Sequence, residues 1–305
     1  MYTQYQATPG RTPRPIKLLI ASICLATLGA GLLEAFFVRL LHLPGPQTFL
    51  TLSPLAITHF LIWQPVTYLF VHGGPNQGLS FGLLIELAFH AYLLWAMGST
   101  VLEQVGTKPF LRMYFLSGIL AGILTLITMM LTGSYAFIGG CTPALLATLF
   151  VWTMLLPDAI LLLFFILPIK AKWLMAGIVG AILLVNLSHG DFVSLVNYLA
   201  GIGCGYFYGL LAWELRGPFE CTHTFDRRMI HYGISWRYRF QQVTSSKIFD
   251  IRTGKAQRSR ADDDAFVDAM LDKIAKHGQR SLSWRERWRL AKISKRKSKH
   301  SRNKL

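Results

Sequence analysis

The sequence predicts an all-α membrane protein: a six-helix transmembrane bundle with a basic cytoplasmic tail. Three observations carry this. Of 305 residues, 52% are hydrophobic and only 15% are charged, whereas a soluble domain carries about 25% charged residues. Charge is scarce between Leu18 and Trp213 and dense, mostly positive, from Arg216 onward, so the net +16 belongs largely to the tail. The apolar part also breaks into segments close to the roughly 20 residues a helix needs to cross the hydrocarbon core. The chain accordingly divides into a cytoplasmic N-terminus (1–15), a transmembrane domain (16–213) and a tail (214–305).

Six spans are expected, at 16–40, 79–97, 110–131, 142–156, 173–187 and 193–213. The first is too long for a signal-peptide core and has no small-residue cleavage site where one belongs, so it is read as retained. Residues 158–172 leave two readings open, an extension of the fourth span or a segment lying at the interface. The apolar run there is too short to cross alone and carries Pro168.

Lys and Arg in short loops set the orientation. Arg11, Arg14 and Lys17 precede the first span, Lys108 and Arg112 follow the second, and Lys170 and Lys172 follow the fourth. The loops 42–80, 132–141 and 189–192 contain none, and Arg39 is the single dissenter. Both termini are thus expected in the cytoplasm, and a bacterial inner membrane is the expected host. Loop 42–80 is itself apolar. Non-helical backbone at membrane depth must be buried in protein or line a cavity, so this loop is expected to dip into the bilayer edge.

Cys24 and Cys204 lie inside spans, Cys141 opens the fourth span and Cys221 sits in the tail. Cys221 with His223 lacks a second ligand pair, and no metal or cofactor is expected. Charged residues within the spans are few and no inverted repeat is evident, so a channel or transporter has little support.

The residues from Trp63 to Gly209 carry a resemblance. The stretch Trp63-Gln-Pro-Val-Thr67-Tyr68-Leu-Phe-Val-His72 resembles the segment before the second span of rhomboid intramembrane proteases. Gly98, Leu102-Glu103, Gly106, Phe110, Tyr114 and Gly118 are similar to the family's run into the third span. Gly140-Cys141-Thr142-Pro-Ala144 resembles its Gly-x-Ser-x-Ala segment, and Leu199-Ala-Gly201 with Gly205 resembles the close of its sixth span. The resemblance implies a rhomboid-like six-helix bundle with clients or substrates among membrane proteins. Read for themselves, Gly201 and Gly205 form a Gly-x-x-x-Gly that lets helix backbones approach closely. Glu103 is suited to bonding loop backbone or pairing with Lys108.

By the same resemblance, the nucleophile position falls on Thr142 and the general-base position on Tyr198. The two oxyanion-donor positions, one helical turn apart, fall on Glu86 and His90. All four are substituted relative to the family's Ser, His, His and Asn. A hydroxyl needs a base within hydrogen-bond reach, and Tyr, with a reference pKa near 10, is a poor one. Glu86 would repel an oxyanion rather than stabilise it. The resemblance therefore implies a pseudoprotease that binds transmembrane segments of clients. The alternative is an active peptidase with Thr142 or Cys141 as nucleophile, or a Glu86–His90–Thr142 relay. An ionisable residue inside a membrane is a functional candidate by default, so Glu86 or His90 is expected within hydrogen-bond reach of Thr142 or Tyr198, directly or through one water.

In the tail, 262–276 reads as an amphipathic helix, and Ser283-Trp-Arg-Glu286 as a capping box opening a second helix through 293. A helical hairpin over 262–293 is expected. The final basic run, 292–304, suits anionic lipid headgroups, at about 1 kcal/mol per basic residue near the surface. Nucleic acid is the less economical partner, because the membrane is already adjacent.

Overall fold

The computed structural model describes residues 12–54, 59–75, 78–163 and 167–235, with 263, 266–276, 283, 286, 288–290 and 292–293 of the tail. Two compact units divide at Ile234/Ser235.

The first unit is built from long apolar helices. α1 spans Arg14–Leu40 and opens on Pro15, whose missing N–H costs nothing in a first helical turn. Two short helices, α2 (Pro46–Leu50) and α3 (Gln64–Thr67), lie in the following loop. α4 (Phe81–Leu93) is capped by Ser80, whose hydroxyl accepts from the Leu83 N–H at 3.2 Å. A π-helical turn, Leu94–Gly98, carries α4 directly into α5 (Ser99–Val105). The second span is therefore longer than the sequence predicts and reaches Val105, because the π-turn widens the helix without breaking it. Gly106, at φ 88°, ends it and starts α6 (Thr107–Thr132).

α7 (Thr142–Leu155) is shorter than the five apolar segments long enough to cross a membrane among the described residues, and is buried along nearly its whole length. At 1.5 Å per residue it spans only about 21 Å, so its first residues start inside the protein. Leu156 leaves the helix at φ −134°, ψ 63°, as expected before Pro157. Residues 158–172 do not extend this span. They form an antiparallel pair, β1 (Ile160–Leu163) with β2 (Leu167–Lys170), in which Ile160 faces Lys170. Lys172 and Lys170 lie 3.2 and 3.3 Å from Asp158 and hold its carboxyl below the usual range. α8 (Ala171–His189) and α9 (Phe192–Trp213) complete the bundle, separated by Gly190 at φ 66°. Among the described residues, five helical segments are long and apolar enough to cross a membrane, and α7 is a sixth, shorter one.

α9 packs most extensively on α6 and α7. Its glycines set the approach. A Cβ at Gly201 would stand 2.3 Å from the Pro143 carbonyl oxygen, and one at Gly205 2.7 Å from Ala147 Cα. The two backbones are in direct contact.

The loop before α4 folds back into this bundle. Leu52 and Ile138 exchange backbone bonds at 2.8 and 2.9 Å. Gln64 Oε1 accepts from the Ser53 N–H at 3.0 Å, and Thr67 donates to the Leu50 carbonyl at 2.9 Å. Tyr68, Leu69, Val71 and His72 are buried, whereas Phe60 and Ile62 are 81% and 82% exposed. The loop thus has a protein-facing side whose backbone is satisfied and an apolar outer side.

The last span ends at Trp213, but the compact unit continues to Ile234. Asp226, fully buried, anchors this extension. Its carboxylate accepts from the Gly217 N–H at 2.8 Å, from Thr222 at 3.1 Å and from the Tyr206 hydroxyl on α9.

In the second unit, residues 266–276 are helical. Ser283 N–H donates to Glu286 at 2.8 Å and Glu286 N–H to Ser283 Oγ at 3.3 Å, the reciprocal bonds of a capping box. Lys273 pairs with Glu286 at 2.9 Å, and Arg289 lies 4.2 Å over the Phe266 ring. The basic run beyond 293 lies outside the described residues.

Candidate functional site

The mouth of α7 is where the candidate residues meet. Gly139 and Gly140 lead into it, and both are required by closeness. A Cβ at Gly139 would stand 2.5 Å from the Val71 carbonyl oxygen. Gly140 has φ 120°, and its Cβ would lie 3.1 Å from the His72 ring. Gly140 N–H donates to the Tyr68 carbonyl at 2.8 Å. Tyr68 and Leu69 are seated in turn against Gly122 and Gly118 of α6, and the Tyr68 hydroxyl donates to the Gly118 carbonyl at 2.5 Å. Trp63 Nε1 donates to the Phe49 carbonyl at 3.1 Å. The residues from Trp63 to His72 therefore act as a clamp that presses His72 onto the start of α7.

His72 is fully buried and every polar atom of its ring is engaged. Thr27, on α1, donates its hydroxyl to the Phe70 carbonyl at 3.0 Å and accepts from the His72 backbone N–H at 3.2 Å. The Thr27 proton is thus committed, so Nδ1 of His72, 3.1 Å from the same oxygen, is the donor there. Nε2 is then the unprotonated nitrogen. It lies 2.9 Å from His90 Nδ1, 3.4 Å from the Cys141 N–H and 3.6 Å from the Cys141 sulfur. His90 and Cys141 are buried as well. A small cavity of about 10 Å³ adjoins them, lined by Cys24, Leu87 and Leu94 among others, with room for roughly one water-sized sphere.

The residues at the nucleophile and base positions are not joined. Thr142 occupies the first position of α7 and Tyr198 lies on α9, both half-buried. Neither hydroxyl makes a hydrogen bond among the described residues. Glu86 shares α4 with His90 but is exposed on the chain, within electrostatic reach of Cys141 and Tyr198. No direct hydrogen bond joins Glu86 or His90 to Thr142 or Tyr198 among the described residues. His90 meets His72 instead, with His72 Nε2 2.9 Å from His90 Nδ1. Glu103 is exposed on α5 and, among the described residues, pairs with neither Lys108 nor loop backbone.

Sequence reasoning missed four contributors. Thr27 reads as an ordinary span residue. Asn197, buried beside Tyr198, donates to Thr125 of α6 at 2.9 Å. Glu34, buried on α1, accepts from the Gln47 N–H at 3.0 Å and so caps α2. Asp226 reads as a solvated tail residue. The acidic residue in an apolar span was a signal for Glu34; no local pattern announces the other three.

The Rhomboid domain model matches residues 59–215, which takes in the clamp, the α7 mouth and the close of α9. No individual curated protein matches the chain. The matched region is more than half of the sequence and contains His72, His90 and Cys141, so this multi-pass helical membrane protein belongs to the rhomboid family.

Proposed function

We propose that this chain is a catalytically silent rhomboid, a pseudoprotease that binds transmembrane segments of client membrane proteins. One observation supports the reading above others: among the described residues, the hydroxyls of Thr142 and Tyr198 have no hydrogen-bond partner and no base holds either. A neutral hydroxyl without a base attacks peptide carbonyls poorly, and Tyr198 is a weak base near neutral pH. The bundle nevertheless keeps the tight α7–α9 contact and the buried loop, the parts that give the family its membrane-embedded shape. The host membrane is read as a bacterial inner membrane, with the basic tail against anionic headgroups on the cytoplasmic side.

A second reading has its own observation. Cys141 sulfur lies 3.6 Å from the unprotonated nitrogen of His72, a thiol–imidazole pair of the kind that activates a cysteine nucleophile. Full burial of both groups weighs against it.

Reconstituted full-length protein, incubated with a fluorescent transmembrane peptide that active rhomboids cleave, tests both. The expected result is crosslinking of the peptide to the bundle without cleavage. Cleavage lost in Thr142→Ala protein would overturn the pseudoprotease reading. Cleavage lost in Cys141→Ser but retained in Thr142→Ala would establish the cysteine reading instead.

A further inference from the structure

We infer that His72, His90 and Cys141 form a zinc(II) site inside the bundle. Their ligand atoms, His72 Nε2, His90 Nδ1 and Cys141 Sγ, lie within 4.8 Å of one another, and all three residues are buried. Zinc takes imidazole nitrogen at about 2.0–2.1 Å and thiolate sulfur at about 2.3 Å in a tetrahedron. Those lengths require an N···S edge of about 3.6 Å and an N···N edge of about 3.3 Å. The His72–Cys141 edge is already 3.6 Å. The His72–His90 edge is 2.9 Å and must open by about 0.4 Å, within the reach of a small imidazole rotation.

The surroundings suit an ion. Ligating histidines give their second nitrogen to a hydrogen-bond acceptor, which fixes the tautomer. Thr27 does this for His72: its hydroxyl proton is spent on Phe70, so it accepts from Nδ1 and leaves Nε2 bare. Three protein ligands leave a fourth tetrahedral position open, and the adjoining cavity, where Cys24 also lies, offers the space. Charge balances too. Zinc with one thiolate carries one net positive charge, and Glu86, one turn before His90 on α4 and in electrostatic reach of Cys141, supplies a negative one. Binding releases the Cys141 thiol proton to solvent, and His90 shifts its single proton from Nδ1, where it faces the bare Nε2 of His72, to its own Nε2. The ligands come from the loop clamp, from α4 and from the α7 mouth, so the ion ties three separate parts of the fold.

This inference stands apart from the proposed client-binding role. Full-length protein, purified through a tag without histidine and stripped with chelator, is titrated with zinc(II), cobalt(II) and copper(I). The expected result is one zinc per chain, held at least tenfold more weakly in Cys141→Ser and His90→Gln and unchanged in Cys221→Ser. Cobalt should give a near-ultraviolet thiolate charge-transfer band together with visible bands of tetrahedral intensity. Zinc binding unchanged in both site variants, no binding at micromolar metal, or binding of copper(I) alone would overturn the inference. Should the variants fail to fold, the wild-type cobalt spectrum decides: a spectrum without the thiolate band overturns it equally.

Discussion

Thr27 illustrates how one hydroxyl on the first span governs chemistry assembled from distant residues. It connects α1 to the loop through Phe70 and His72 and fixes which nitrogen of His72 faces Cys141. Thr27→Val keeps the shape and removes the acceptor, leaving a buried imidazole N–H and the Phe70 carbonyl without their partner. An unsatisfied buried polar group costs about 1–3 kcal/mol. Thermal melting in detergent should therefore move down for Thr27→Val, and zinc retention should weaken about tenfold or more, the usual loss when an outer partner is removed. An unchanged melting temperature would mean that the Thr27–His72 contact contributes nothing to the fold. At this scale the sequence was legible only in part. His72, His90 and Cys141 were singled out, but for separate reasons. Their convergence depends on a loop that returns to the bundle between the first and second spans, and residue spacing does not encode that return.

Helix contacts show the opposite balance. The Gly-x-x-x-Gly of Gly201 and Gly205 is visible in the sequence, and the structure sets both glycines against the backbone of α7 at Pro143 and Ala147. Overpacking such a contact typically costs 1–3 kcal/mol. Gly205→Ala should lower thermal stability by about that amount, and Gly201→Ala by at least as much, since its nearest neighbour is a carbonyl oxygen. Gly203, on the same helix, has nothing within 4 Å of a built Cβ. Gly203→Ala should be neutral or slightly stabilising, because alanine is favoured over glycine in helices by about 1 kcal/mol. Equal losses in all three variants would indicate that helix chemistry, not the α7–α9 contact, is being measured. The second span was read short at its end, and of the two readings left open for 158–172 the extension of the fourth span is excluded. A π-turn leaves no hydrophobic period, and the strand Ile160–Leu163 is uniformly apolar and so lacks the alternation that marks a strand, so the pattern alone cannot find them.

The distribution of positive charge makes a prediction about the whole molecule. Lys and Arg flank alternate ends of the spans and crowd the tail, which favours both termini on the cytoplasmic side. Reporter fusions after Leu305 and within 132–141 should report opposite sides of the membrane. The same side for both would contradict an even number of spans. What the sequence by itself determined is the material of this protein: apolar helices of membrane length, a basic tail, and the family's glycines and loop motif. These are local or compositional properties, because hydrophobic length and charge act wherever they stand in the chain. The tertiary structure decided which polar groups meet. It turned His90 toward His72 instead of Thr142, left Thr142 and Tyr198 without a partner among the described residues and buried Asp226 against α9. Such pairings are chosen by competition among all buried donors and acceptors for the nearest partner, and that competition exists only once the helices have packed.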